Sequence, residues 1–341
     1  MSVLKNMELC SRVGSEHAGL GLGDFLSRRF TYYPKEEWVE LVGAGKVTVN
    51  GVIVGSDYEL SKEDLVTFYL DDFKEPQVPD HYEPVFENDD FLLVGKAAGT
   101  PVSRTGRIIH NTLVNILRRQ TSNPDIHLMH RLDRETSGLI LCAKGKEICR
   151  LWQSRLAEII RRKFYLAIVR GKFDERRLEI DVELGSSPDS AVHCQVVVVP
   201  AGKTSRSVIH PIATRKDVSL VLVEIMTGRR HQIRTHLAHV GYPVVGDKIY
   251  GNDGIYYLKR LTQELDENDY QILGAVNHTL HAWALDLALP GQGRQCFFSE
   301  IFSPDFNDYL KLFRGWQEKA LFILSLIAPE INIDCQKYKL L

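Results

Sequence analysis

The chain has 341 residues, of which 44% are hydrophobic and 25% charged, with a net charge of -2 at pH 7. Those proportions exclude a disordered or fibrous polymer and leave room for one large domain and a smaller one. No apolar run is long enough to cross a bilayer, and residues 1–8 lack the basic start and apolar stretch of a secretory signal, so export and a membrane partner are not expected.

Six dispersed cysteines (Cys10, Cys142, Cys149, Cys194, Cys296 and Cys335), none in a C-x-x-C pair, speak against a zinc ribbon or a disulfide framework and for reduced thiols in a cytoplasm.

Residues 18–70 read as a small module of two helices and a hairpin. Leu22, Phe25, Leu26 and Phe30 share one helix face, and Trp38, Leu41 and Val42 repeat the spacing before Gly43 and Gly45. Residues 46–54 then alternate like a strand, turn at Asn50-Gly51 and resume. Residues 71–90 hold eight acidic side chains against Lys74 alone, with Pro76, Pro79 and Pro84, so 71–82 reads as an acidic linker.

Residues 83–304 alternate β-rich segments with helices, which predicts an α+β domain. Strands are expected at 91–94, 139–143, 164–170, 178–184, 193–199, 220–226, 280–289 and 296–302, with helices over 147–160 and from His231. Residues 305–341 carry helical periodicity through Leu310, Phe313, Trp316, Leu321 and Leu324 and are expected to dock on this domain.

The segment most charged with chemistry is His130-Arg131-Leu132-Asp133-Arg134-Glu135-Thr136-Ser137-Gly138-Leu139. A carboxylate before a strand, flanked by Arg131 and Arg134, is favoured in its ionised form by the cations and by nearby hydroxyls and amides. An Asp that merely caps a turn is the plainer reading of Asp-x-x-Thr-Ser-Gly alone. His231, His236 and His239 invite a metal, but gaps of five and three do not make an i, i+4 ligand pair, so none is expected. Arg229, Arg230 and Arg234 beside His231 and Gln232 suit either a solvated face or a phosphate clamp.

The full string, followed by Ala143-Lys144, resembles the signature of the RluA-type RNA pseudouridine synthases. Residues 87–102, Lys163-Phe164-Tyr165-Leu166-Ala167, residues 227–251 and Leu280-His281-Ala282 resemble the family's other blocks in order. The chain departs from the family at Ala97, where proline is common, and at Arg230, where Thr or Ser is usual. The resemblance implies a pseudouridine synthase fold on a mixed or antiparallel sheet, no cofactor, and isomerisation of uridines in ribosomal or transfer RNA. It implies that Asp133 initiates cleavage of the glycosidic bond, that Tyr165 stacks on the base and assists loss of the C5 proton, and that Arg234 pairs with Asp133. Arg131, His130 and Thr136 then belong with the flipped nucleotide, and Arg229, Arg230, His231 and Gln232 with the RNA.

Residues 18–70 are similar to an S4 RNA-binding domain, which implies RNA contact by Arg28 and Lys46, although Pro34-Lys35-Glu36-Glu37 opens the second helix where that family commonly has Ser-Arg. A monomer is expected. The competing reading is a non-catalytic RNA-binding or ribosome-assembly factor that keeps the fold without the chemistry.

Overall fold

In a computed structural model, residues 2–4, 7–30, 33–70, 73–105, 108–187, 190–331 are described. Residues 71–72 of the expected linker and 332–341 of the tail, with Cys335, lie outside them. The chain forms two compact units, Met1–Val78 with Ser103–Asn115, and Pro79–Val102 with Ile116–Leu341.

In the first unit β1 (Ser2–Leu4) is followed by β2 (Met7–Arg12), α1 (Leu22–Arg29), α2 (Lys35–Gly43), β3 (Val47–Val49), β4 (Val52–Ile53), β5 (Leu65–Leu70) and β6 (Phe73–Glu75). Strands β2-β5-β3-β4 make one sheet, and β1 pairs with β6. The β3–β4 hairpin turns on Asn50 and Gly51, both at positive φ (53° and 81°), the backbone that a two-residue turn between twisted strands demands. Leu22, Phe25, Leu26, Trp38, Val42, Val47, Val66 and Phe68 bury one face of each element against the others. The unit begins earlier than residue 18, because β2 is its edge strand.

The acidic segment is not a free linker either. Its β6 is paired, and Glu75 is buried with its carboxylate accepting the amides of Ile109, His110 and Asn111. A carboxylate surrounded by amides is held in place, which is why Ser103–Asn115 belongs with this unit.

The second unit is built on an eleven-stranded sheet. Its strands are β7 (Tyr82–Glu87), β8 (Phe91–Lys96), β9 (His127–Leu128), β10 (Ser137–Ala143), β11 (Ile160–Arg170), β12 (Leu178–Ser186), β13 (Val196–Val198), β14 (Lys203–Arg215), β15 (Val218–Ile225), β16 (Leu280–Leu289) and β17 (Gly293–Phe298). The order is β13-β12-β14-β15-β11-β16-β10-β8-β7, with β17 beside β16 and β9 beside β10. Helices are α3 (Leu113–Gln120, of which Ile116–Gln120 fall in this unit), α4 (Lys146–Gln153), α5 (Leu156–Ile159), α6 (Gln232–His239), α7 (Ile255–Thr262), α8 (Glu267–Leu273), α9 (Pro304–Leu310) and α10 (Trp316–Ile327). The architecture is α+β, as the alternation predicts.

The tail is part of the core: Phe306, Leu310, Phe313, Ala320 and Leu324 pack with Phe164, Leu166, Ile168 and Trp283. The single helix expected over 147–160 is two, α4 and α5, and Ile160 already belongs to β11.

The ladders are antiparallel except β10 with β16, which pair in parallel at Ser137↔His281 and Gly138↔Ala282. Gly138 has φ 103°, and a Cβ there would lie 2.2 Å from the Ala282 carbonyl oxygen, so backbone meets backbone with nothing to yield. Gly138→Ala is expected to cost about 3 kcal/mol or more. In calorimetry that is a fall in melting temperature of roughly 6–12 °C; an unchanged transition would contradict the close approach.

Candidate active site

Asp133 lies in the loop between β9 and β10, and buried polar groups fix that loop from several sides. The amide of Leu141 donates to His130 Nε2 at 3.0 Å. Burial and the charge of Lys163 bring this imidazole down to about 3, so it stays a neutral acceptor. Thr136 Oγ1 bonds His278 Nε2 at 2.8 Å, and burial with the Arg234 charge holds His278 at about 4. Ser137 Oγ bonds His281 Nδ1 at 2.8 Å while His281 Nε2 donates to the Ser299 carbonyl at 2.9 Å. His281 therefore carries its proton on Nε2, and Ser137 donates to Nδ1. Glu135 accepts from Lys248 at 2.9 Å, from Arg260 at 3.1 Å and from the His278 amide at 3.1 Å.

Lys96 at the end of β8 is fully buried and donates to the carbonyls of Ala97 (2.9 Å), Thr100 (2.8 Å) and Arg134 (2.9 Å). Three acceptors match the three protons of an ammonium, although burial lowers the group to about 7. Lys96 thus ties residues 97–100 to the loop beside Asp133. Lys96→Met strands three carbonyls and is expected to lose about 2–4 kcal/mol in denaturant unfolding. Turnover should fall with it; a variant of undiminished stability would remove Lys96 from this role.

The carboxylate itself is placed by Arg234, the third residue of α6, whose side chain is 5% exposed. Its Nη1 donates to Asp133 Oδ2 at 2.8 Å. Its Nε and Nη2 donate to the two oxygens of Asp247 at 2.6 and 2.9 Å. Asp247 is buried and also accepts the amides of Ile249 and Tyr250 at 2.9 and 3.0 Å. The planar fork therefore closes on Asp247, and Asp133 receives one bond. The pair with Asp133 that the resemblance implies is present, and Asp247, inside the 227–251 block, is the further partner that sequence reasoning missed. A buried guanidinium has more donors than one carboxylate can accept, which was the available signal for a second acid.

Burial by itself would raise Asp133, but the charge and hydrogen bond of Arg234, together with His231 and His278, outweigh it and hold the carboxyl below its ordinary value. A quarter of the Asp133 side chain remains open to solvent. Asp133 is thus an oriented anion with one face free. Burial and then the Asp133 charge push the Tyr165 phenol up, so it keeps its proton.

The other predicted residues divide into surface and support. Arg131, Arg229 and Arg230 are exposed, as is Arg28 at the end of α1, and Lys46 is partly buried. His231 caps α6 at φ 55°, bonds Tyr250 Oη through Nδ1 at 3.0 Å and holds Nε2 3.9 Å from Asp133. Gln232 is buried and faces inward: its amide donates to the Arg206 carbonyl and Ser207 Oγ, both at 3.0 Å, and its oxygen accepts from Thr227 and the Arg229 amide. Thr136 and His130 likewise serve the loop, through the bonds above. His236 is buried between Ser205 (2.8 Å) and Ser207 (3.1 Å) and is not a surface group. Among the described residues no cluster of three His, Cys, Asp or Glu side chains has metal-binding geometry, and no helix is long and apolar enough to cross a membrane.

Residues 90–239 match the family described as RNA pseudouridylate synthase. An uncharacterized RNA pseudouridine synthase of Synechocystis sp. is 29% identical over 272 residues, which cover 78% of this chain and 93% of that one. The ribosomal large subunit pseudouridine synthase C of Vibrio cholerae is 29% identical over 255 residues, 70% of this chain and 79% of that one. Human RNA pseudouridylate synthase domain containing 4 shares the fold, with a TM-score of 0.52 and 22% identity over 68% of this chain and 93% of that chain. Sequence blocks, sheet and relatives agree: residues 90–239 form a domain of the RNA pseudouridylate synthase family, and the chain is an isomerase.

Proposed function

We propose that this isomerase converts specific uridines of structured RNA to pseudouridine, with large-subunit ribosomal RNA as the first candidate substrate and transfer RNA as the second, and that Asp133 is the carboxylate that opens the glycosidic bond. The observation that carries the reading is the single bond from Arg234 to an otherwise open Asp133 oxygen pair, with Asp247 taking the rest of the guanidinium. It supports an anion that is held in orientation and still free to react.

A uridine must leave its stack to reach such a group. Asp133 then either attacks C1′ of the ribose or takes the C2′ proton; the base detaches, turns, and rejoins the sugar through C5, whose proton departs. Tyr165 keeps its phenol proton, which favours its part as a stacking surface over that of a base. The product has the composition of the substrate, so the balance calls for no cofactor. The ribosomal choice rests on the relative from Vibrio cholerae, whose name assigns it to the large subunit.

The first unit, with its hairpin and the exposed Arg28, is proposed as an S4-like module that adds RNA affinity. Deleting residues 1–78 is expected to leave the second unit folded and to weaken binding of long RNA. It also removes the Glu75 acceptor of three amides, so Ile109–Asn111 should lose hydrogen-exchange protection; protection retained there would show that another group holds the segment.

The test is direct. Transcripts of large-subunit ribosomal RNA and of transfer RNAs are incubated with the protein and mapped by a chemical primer-extension stop for pseudouridine. New stops at defined uridines are expected in the ribosomal transcript; none in any transcript would overturn the reading.

A further inference from the structure

Lys163 is the cation that the site described above leaves unexplained. It lies on β11 two residues before Tyr165, and the β11–β15 register runs without interruption from Lys163↔Ile225 through Phe164↔Glu224 to Tyr165↔Val223. Alternation therefore puts Lys163 and Tyr165 on one face of the sheet. Phe164 turns the opposite way, into the core shared with α9 and α10.

The side chain is partly buried, and its ammonium has no hydrogen-bond or ion-pair partner among the described residues. Burial alone acts on it, lowering its affinity for the proton. This contrasts with the other interior cations of the unit: Lys96 has three carbonyls, Lys248 has Glu135, Arg162 has Glu224 and Arg234 has two carboxylates. Two neighbours locate the head group. A Cβ on Gly228 would come 3.9 Å from Lys163 Nζ, and the charge of Lys163 is felt by His130, three residues before Asp133. The ammonium thus stands between the catalytic loop and the turn that carries the exposed Arg229 and Arg230.

A desolvated ammonium without a counter-charge is unfavourable in the free protein. The arrangement gains if the missing anion arrives with the substrate. Uracil is neutral at working pH, so in RNA the anion is a backbone phosphate. Residues i and i+2 on a strand lie about 7 Å apart, a span of the order of one nucleotide's sugar and phosphate.

We propose that Lys163 binds a phosphate of the RNA strand immediately next to the uridine that stacks on Tyr165, and so sets which backbone position enters the site. The inference rests on the functional reading above and deepens it. Lys163 is a substrate-binding group here, distinct from the groups that hold Asp133.

The test uses the full chain and a large-subunit ribosomal transcript, with Lys163→Met and Lys163→Arg. Lys163→Met should weaken RNA binding about tenfold and flatten the slope of log affinity against log salt by about 0.7, the loss of one contact to a single strand. Its KM should rise far more than its turnover at saturation falls, and Lys163→Arg should recover most of the affinity. Without RNA, Lys163→Met should melt no lower than the wild type, because no partner is stranded. An RNA carrying one neutral methylphosphonate linkage beside the modified uridine should bind the wild type as weakly as unmodified RNA binds Lys163→Met, and the two changes should not add.

An unchanged salt slope, a loss confined to turnover, or a lower melting temperature for Lys163→Met overturns the proposal and gives Lys163 an internal role. If the wild type forms pseudouridine while Lys163→Met binds as tightly, this inference fails and the functional reading stands. If the wild type forms none in any RNA, both fall.

Discussion

Asp133→Asn is expected to cut turnover by more than about a hundredfold while RNA affinity falls by less than about tenfold, since one carboxylate is lost and no phosphate contact is. The amide keeps the shape and can still accept from Arg234 Nη1, so the loop should remain in place. Thermal unfolding therefore separates this loss from misfolding: the variant should melt close to the wild type. Rates in the wild type should hold steady down to the ordinary carboxylate range and decline only below it, because Arg234 keeps Asp133 ionised to lower pH. Residual turnover above roughly a hundredth of wild type would remove Asp133 from the chemistry.

The second large effect concerns Arg234 and Asp247. Arg234→Ala leaves Asp247 buried with backbone amides as its only donors, and the expected loss is about 3–5 kcal/mol. Arg234→Lys keeps the charge but loses the fork, so it cannot satisfy both oxygens of Asp247 and hold Asp133 as well. Its turnover should fall sharply. A thermodynamic cycle on denaturant unfolding should show strong coupling between Arg234 and Asp247, and weaker coupling between Arg234 and the partly solvated Asp133.

The pH dependence has a definite sign. The Arg234 charge and bonds overcome burial and depress Asp247 well below its ordinary 3.8. The pair's stabilisation is thus complete above the unfolded carboxylate value and is lost as pH falls toward the folded one. Arg234→Ala should flatten that acid limb. If Arg234 couples more strongly to Asp133 than to Asp247, the fork has been misplaced.

Much of this was legible because local rules and the final fold agree. The Asn50-Gly51 turn asks for two positive φ values and has them. The strands at 91–94, 139–143 and 280–289 are apolar because both faces are covered, and they appear as β8, β10 and β16.

The long strand β14 was missed, and its residues say why. Pro211 interrupts it at a bulge, and its inward Ser205 and Ser207 bond His236 and Gln232 where an apolar row would signal a strand. The same polar packing hides Gln232 and His236 from a reading that places polar helix residues outside. Asp247 was obscured by distance along the chain, since its pairing with Arg234 depends on how α6 meets the segment after it. Glu75 was lost among acidic neighbours, because composition marks a linker and cannot reveal that one carboxylate of the run accepts three amides.

If Asp133 drives the reaction, uracil leaves the ribose through N1 and returns through C5. RNA labelled with tritium at C5 of its uridines reports this step, since forming the new carbon–carbon bond releases that hydrogen to water. The wild type should release tritium in proportion to the uridines converted, and Asp133→Asn should release none above background. Release by Asp133→Asn at the wild-type rate, or modification by the wild type with tritium retained at C5, would contradict the account.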